Sequence, residues 1–147
     1  MKLYIIVLLI MACPWVSYSD EEGEENSFGK GKAIVEVKDE GKEFKLSAES
    51  IKLLEIKYVP VQSKLNEKTL TISQSSLVTY QDKMGIYLFS NGWFKLSEIK
   101  IIKRENNKLL VKVMRISTKD NLVVSSVGLL RVAHLQALGA LGNVDLD

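Results

Sequence analysis

The sequence predicts a mainly β fold, either a small β-barrel or a bent antiparallel sheet, with a short helix near residues 48–54 and a second helix near 128–138. Short runs of β-forming residues separated by turn residues fill the stretch from Thr69 to Val113. Within it, Asn91-Gly92 is the strongest two-residue hairpin signal that a sequence offers. A length of 147 residues, 46% of them hydrophobic, suits one globular domain plus tails.

The central stretch predicts two successive hairpins. A turn at Asn91-Gly92 pairs residues 86–89 with residues 93–96. A second hairpin pairs residues 99–102 with residues 109–113. Such a meander is a scaffold, and it brings no visible catalytic set with it.

Two strands and a helix are predicted before this meander. Residues 33–37 and 43–46 form strands around a turn in which Gly41 supplies a positive φ. Ser47 is a suitable N-cap for a helix over 48–54, because its hydroxyl can accept a hydrogen bond from a free backbone N–H of the first turn.

The flanks of the meander supply one more strand on each side and the final helix. Residues 55–61 alternate, and Pro60 predicts a sheet edge or a strand end because it cannot donate to a ladder. Residues 122–124 are a short buried strand. Between 128 and 138, Leu129 or Leu130 falls at helical spacing with Ala133 and Ala137.

The amino terminus carries an export signal. Lys2 precedes an apolar run over residues 3–12 that suits a signal-peptide core and is short for a bilayer span. Cleavage after Ser19 releases a soluble periplasmic chain; alternatively, residues 10–13 resemble a bacterial lipobox that makes Cys13 a lipid anchor. Cys13 is the only cysteine, and it can equally be an inert residue of the signal core.

These features divide the chain into four parts. Residues 1–19 are the expected signal peptide, or a lipoprotein signal that ends before Cys13, and 20–32 are an acidic linker with five acids among residues 20–25. Residues 33–138 form a single β-rich domain, and 139–147 are a tail.

Charge and chemistry exclude several functional classes. The 20 basic and 18 acidic residues are interspersed and give a net charge of +2, so no nucleic-acid partner is expected. His134 is the sole histidine, interpreted as a partly exposed helix residue, since no nucleophile lies near it in sequence. Met84 and Met114 have no metal-ligand spacing and are interpreted as packing or surface residues. The sequence therefore predicts no enzyme, no cofactor and no metal.

Three blocks carry a resemblance to a known family. Residues 44–61 (FKLSAESIKLLEIKYVPV), 72–89 (ISQSSLVTYQDKMGIYLF) and 123–135 (VVSSVGLLRVAHL) resemble the membrane-proximal domain of periplasmic adaptor subunits, or membrane fusion proteins, of resistance-nodulation-division efflux systems. In that family the strands of this domain come from both ends of the chain. Here residues 62–68 join the two flanks directly, so the resemblance covers one domain and none of the family's helical hairpin. It implies an envelope-located binding module that contacts an inner-membrane efflux pump or another adaptor.

Five residues are candidates for partner docking. Trp93 and Phe94 follow the predicted turn, and alternation sends them to opposite sheet faces, so that one is expected to be exposed. Either can also be an ordinary half-buried aromatic residue. Lys100, Lys103 and Arg104 belong to a basic cluster around the second hairpin. That cluster is either a solvated face or a contact for anionic lipid headgroups.

The function expected from these observations is a non-enzymatic protein-binding module in the bacterial periplasm, an accessory or truncated efflux adaptor. The alternative is a freestanding periplasmic carrier of a small ligand or metal. An apolar cavity with convergent polar groups favours the carrier, whereas a filled core with an exposed aromatic edge favours the docking module.

Overall fold

The computed structural model describes residues 32–61, 68–80 and 82–139. The expected signal peptide, Cys13, nearly all of the acidic linker and residues 140–147 lie outside the described residues. The helix predicted over 128–138 extends to Gly139, so the first residue assigned to the tail belongs to the helix.

The described residues form nine strands and two α-helices. In chain order they are β1 (Ile34–Lys38), β2 (Glu43–Leu46), α1 (Ala48–Leu53), β3 (Tyr58–Pro60), β4 (Thr69–Ser73), β5 (Val78–Tyr80), β6 (Lys83–Ser90), β7 (Trp93–Glu105), β8 (Lys108–Val113), β9 (Asn121–Val123) and α2 (Val127–Gly139). The nine strands belong to one open antiparallel sheet, which confirms the mainly β prediction in its bent-sheet form.

The thirteen-residue strand β7 is the central strand of this sheet. Its first half lies between β2 and β6, and its second half pairs with β8, which in turn pairs with β4. The main strand order is β1-β2-β7-β6-β9-β3. A bulge between Ile101 and Lys103 shifts the register of β7 against β8, and such bulges bend the strand that carries them.

The predicted hairpin at Asn91-Gly92 is confirmed. Both residues have positive φ, 52° and 85°, as a type I′ turn requires, and the ladder begins directly with Ser90 opposite Trp93. The edge prediction for Pro60 is also confirmed, because β3 ends there and, among the described strands, pairs only with β9.

Two hydrophobic clusters lie on opposite faces of β6. The first contains Tyr87 and lies beneath α2, whereas the second contains Ile86 and Leu88. Period-two alternation therefore buries β6 on both sides, which explains its apolar run over residues 85–89. The first cluster comprises Ile34, Phe44, Leu46, Ile56, Val78, Tyr87, Phe94, Val123, Val127, Leu130, Ala133 and Ala137; the second comprises Leu70, Ile72, Ile86, Leu88, Ile99, Leu109, Val111, Val113 and Leu122.

Candidate functional site

Helix α2 buries one side, and its largely apolar opposite side is exposed among the described residues. Its buried residues are Val127, Leu130, Ala133, His134 and Ala137, which recur at the spacing of one helical face. Of the two alternatives in the sequence, Leu130 is the core residue and Leu129 is exposed. Arg131 is the only charged residue of the helix, and its guanidinium lies over the ring of Tyr80, 5.6 Å from the ring centroid.

The uncovered side of α2 consists of four aliphatic residues. Leu129, Val132, Leu135 and Leu138 are 53%, 54%, 50% and 36% exposed and follow one another at intervals of three residues, so they spread over about half of the helix circumference. Leu138, the least exposed of the four, also packs against Gly41. We call this set the outer α2 face. A helix that is apolar around its whole circumference is typical of one that is covered on all sides. Four of the exposed large hydrophobic residues of the described domain thus lie on this one helix.

Beneath α2, a polar pair lies inside the first cluster. The hydroxyl of Tyr87 lies 2.9 Å from Nδ1 of His134, and Nη1 of Arg131 lies 3.3 Å from the same nitrogen. The imidazole also stacks on Phe44, with 5.1 Å between ring centroids. His134 is 4% exposed, so its interpretation as a partly exposed residue is wrong. Helical spacing does not identify a buried face when apolar residues occupy every side of a helix.

Burial sets the protonation of both partners. The pKa of His134 is lowered from 6.5 to about 4, mainly by burial and secondly by the neighbouring Arg131 charge, while the backbone of Gly41 acts in the opposite direction. Burial also raises the pKa of Tyr87 to about 12. Both groups are therefore neutral near pH 7. The pair joins helix α2 to strand β6 across the first cluster.

The docking residues predicted from sequence do not form one surface. Phe94 has no exposed area and packs against Phe44 and Phe89, so its assignment to docking is wrong. Trp93 is half-buried on the opposite face of β7, with the ammonium of Lys38 3.7 Å from its ring centroid. This geometry is a cation–π contact within the domain. The split between the two aromatic residues is the one that strand alternation predicts.

The lysines of the second hairpin are exposed and lie in register. Lys100 is directly opposite Lys112, and Lys103 is opposite Leu110, so these side chains share one face of the sheet. Arg104 is opposite the buried Leu109, so alternation places it on the other face. Strand β4 extends the same surface, because Thr69 and Thr71 are opposite Lys112 and Leu110.

We call this surface the basic face. Its rows across β4, β8 and β7 are Thr69, Lys112 and Lys100; Thr71, Leu110 and Lys103; and Ser73, Lys108 and Glu105. A shallow depression of about 220 Å³ lies in it, lined by Thr71, Lys103, Glu105, Lys108 and Leu110. Four lysines therefore surround a surface whose one acidic residue, Glu105, is paired with Lys103.

Edge strand β3 carries an exposed aromatic residue that the sequence did not single out. Tyr58 is 41% exposed and stacks on Phe89, with 4.4 Å between ring centroids. The neighbouring Val59 is exposed too. A second open depression of about 630 Å³ lies beside this strand, lined by Val59, Pro60, Val61, Leu70, Thr71 and Leu122. The available signal was Pro60, which marked the edge without indicating which side chains it leaves bare.

Neither a metal-binding cluster nor a membrane-spanning helix occurs among the described residues. No group of three His, Cys, Asp or Glu side chains there is arranged to hold a metal ion. None of the helices in that part of the chain has both the length and the apolar character needed to cross a membrane. Met84 is partly buried in the second cluster and Met114 is about half exposed, in line with their interpretation as packing and surface residues.

No protein-family model, curated protein or solved structure matches this chain.

Proposed function

We propose that this chain is a non-enzymatic protein-binding module of the bacterial envelope that docks, through the outer α2 face, onto an inner-membrane efflux transporter or one of its adaptor subunits. The outer α2 face carries this proposal. Four partly exposed aliphatic side chains, bordered by Gln136 and Arg131, suit a partner surface that is itself mostly apolar. The resemblance of three sequence blocks to a membrane-proximal adaptor domain supports the choice of partner.

The arrangement of the core supports docking over the carrier function. Fully buried side chains such as Tyr87, Phe44 and Phe94 occupy the space between the sheet and α2. Both depressions described above open at the surface, and one is bordered by lysines. A carrier of an apolar ligand needs an enclosed apolar site with a few polar groups directed into it. Tyr58 at a sheet edge is a further feature of a docking module.

Photo-crosslinking from inside the outer α2 face tests the proposal. Benzoylphenylalanine replaces Val132 in the full chain, expressed in its own host, and membranes are illuminated before mass spectrometry of the adducts. We expect an adduct with an efflux transporter or adaptor subunit. The same probe at exposed Lys52, on α1, is the position control and should give no such adduct.

Charge substitutions then show whether the contact is apolar. Val132→Lys with Leu135→Lys should reduce recovery of that subunit more than tenfold. Burying an unpaired charge against an apolar partner lowers the binding free energy by at least about 2 kcal/mol. Thr79→Lys with Thr118→Lys adds the same charge at exposed positions elsewhere and should have no effect. Adducts only with a second copy of this chain, or with no transport component, would count against the proposal.

A further inference from the structure

We propose that the basic face binds the phosphate headgroups of an anionic phospholipid surface. This contact is independent of the outer α2 face, because it uses different residues on different elements. The basic face makes a charge contact from a sheet, whereas the outer α2 face makes an apolar contact from a helix.

The position of the basic face in the fold leaves it free for such a contact. Along β7, Phe94 and Leu96 pack in the first cluster beneath α2, and alternation places Lys100 further along the same face. Helix α2 thus covers one end of this face, whereas at the end formed by β4, β8 and the second half of β7 the side chains are exposed or only partly buried among the described residues. On β4 the residues of this face are Thr69, Thr71 and Ser73, and their short hydroxyl side chains can donate hydrogen bonds to phosphate oxygens.

Repulsion between lysines on the basic face lowers the folding stability of the domain. Lys100 and Lys112 are directly opposite each other across the ladder, and like charges in that position destabilise a sheet. Lys108, two rows away from this pair, adds to the positive potential of the face. An anionic partner converts this repulsion into attraction. Two carboxylates oppose the positive charge among the described residues here, and both are already paired: Glu105 with Lys103, and Glu98, two residues before Lys100 on β7, with Lys83.

An exposed apolar residue beside the lysines favours a lipid surface over other anions. Ile102, the extra residue at the β7 bulge, is 53% exposed between Ile101 and Lys103. A lysine stem and an isoleucine can enter the boundary between headgroups and acyl chains while the ammonium group contacts phosphate. The face has no exposed aromatic residue on which nucleic-acid bases could stack. The depression in this face is shallow and is lined by only five residues, so it offers little depth for an extended acidic peptide.

Vesicle sedimentation with the full chain tests this inference. Vesicles of phosphatidylcholine alone measure any contribution of the apolar amino-terminal run, and vesicles with equal parts of phosphatidylglycerol measure the charge-dependent part. Each basic residue at an anionic surface contributes about a fivefold increase in partitioning. Lys100→Gln with Lys112→Gln should therefore lower the phosphatidylglycerol-dependent part about 25-fold. About 1 M salt should abolish it in the wild type.

Matched variants give the controls. Lys52→Gln with Lys119→Gln removes the same charge from exposed positions off the basic face and should leave binding within about twofold of the wild type. Lys103→Gln with Lys108→Gln repeats the test at other rows of the face, and circular dichroism verifies that each variant is folded. Equal losses in control and face variants would overturn the inference. So would equal binding to both vesicle types, or full displacement from vesicles by inorganic phosphate or by polyglutamate, which would assign the face to a free anion or an acidic protein.

Discussion

The hydroxyl of Tyr87 donates its proton to Nδ1 of His134, across the core that joins β6 to α2. The direction follows from Arg131, whose Nη1 lies 3.3 Å from the same nitrogen and can only donate. Nδ1 is therefore an acceptor, and the imidazole proton is on Nε2. By distance and angle Nε2 has no hydrogen-bond partner in the described residues, although the Gly41 backbone lies close enough to the imidazole to act on its pKa. The pair thus fixes the helix to the sheet with a neutral histidine at its centre.

The stability of the domain should fall as the pH falls from about 6.5 to about 4. In the folded state the pKa of His134 is about 4, below the value of 6.5 expected in the unfolded chain. In this window the unfolded state binds more protons, so acid favours unfolding, by about 3 kcal/mol when the window has been crossed. Urea unfolding at pH 7 and near pH 4 measures the change.

The variant His134→Gln separates this effect from that of the carboxylates. It cannot take up a proton in either state, so the loss of stability between the two pH values should be smaller by about 3 kcal/mol than in the wild type. Equal losses in both proteins would show that His134 does not set the acid sensitivity.

Tyr87→Phe should lower the free energy of unfolding by about 1 to 2 kcal/mol at pH 7, because it leaves a buried imidazole nitrogen without its main donor. Tyr58→Phe is the matched control and should change it by less than about 0.5 kcal/mol, since that side chain reaches water. In a His134→Leu background the Tyr87→Phe change should be different from that in the wild type, which a double-mutant cycle measures. Additive effects would contradict the hydrogen bond.

Much of the fold follows from local chemistry in the sequence. Asn91 and Gly92 can both take the positive φ of a type I′ turn, and this fixed the β6–β7 hairpin and its register. Ser47 does cap α1, since its hydroxyl accepts a hydrogen bond from the backbone N–H of Ser50 at 3.1 Å. These features depend on neighbours in the chain, so a sequence pattern is sufficient to find them.

The candidate sites depended on packing that no local pattern encodes. Trp93 and Phe94 were predicted to face opposite ways, but alternation does not say which face α2 covers, and Phe94 is on the covered one. The same ambiguity hid His134, because every side of α2 is apolar. The Lys100–Lys112 pair was not visible either, because the bulge at Ile102 and the register of β7 against β8 are tertiary features.

Gly41→Ala should destabilise the domain strongly, by about 2 to 4 kcal/mol. Gly41 has φ of 85°, and a Cβ there would lie 2.8 Å from Cδ2 and 3.0 Å from Cα of Leu138, so it would push β1–β2 away from α2. Gly128→Ala is the control. No atom lies within 4 Å of its Cβ position and the residue is helical, so this variant should be as stable as the wild type or about 0.5 kcal/mol more stable. Thermal unfolding of both variants measures the difference, and a tolerated Gly41→Ala would contradict the close packing of this turn on α2.

Lys95→Met should cost more stability than Asp120→Asn. The side chain of Asp120 is 2% exposed, with Oδ1 3.2 Å from Nζ of Lys95 and Oδ2 accepting a hydrogen bond from the backbone N–H of Ser117. Without Lys95 the buried carboxylate keeps only that hydrogen bond, and we expect a loss of about 2 kcal/mol. Without the carboxylate charge, Lys95 can still reach water, because it is 29% exposed.

The exposed ion pair of Lys83 and Glu98, 3.1 Å apart, is the control for this comparison. Lys83→Met should cost less than about 1 kcal/mol, as exposed pairs do. Equal stability of Lys95→Met, Asp120→Asn and Lys83→Met in urea unfolding would contradict the expectation that burial of Asp120 makes its ion pair with Lys95 more stabilising than an exposed pair.

Lys100→Glu should raise the stability of the domain while it weakens binding to anionic vesicles. The substitution replaces a cross-strand repulsion with an attraction to Lys112, which is worth about 0.5 kcal/mol in the free energy of unfolding. The same change removes two units of positive charge from the basic face and should reduce phosphatidylglycerol-dependent partitioning about 25-fold. Lys119→Glu, in the loop after β8, makes the same charge change away from the face and should leave both quantities nearly unchanged. A gain in folding stability together with a loss of vesicle binding is expected only if Lys100 and Lys112 bind an external anion. A face that only contacts water would gain stability without losing any binding. Thermal unfolding and vesicle sedimentation of the same preparations measure the two effects together.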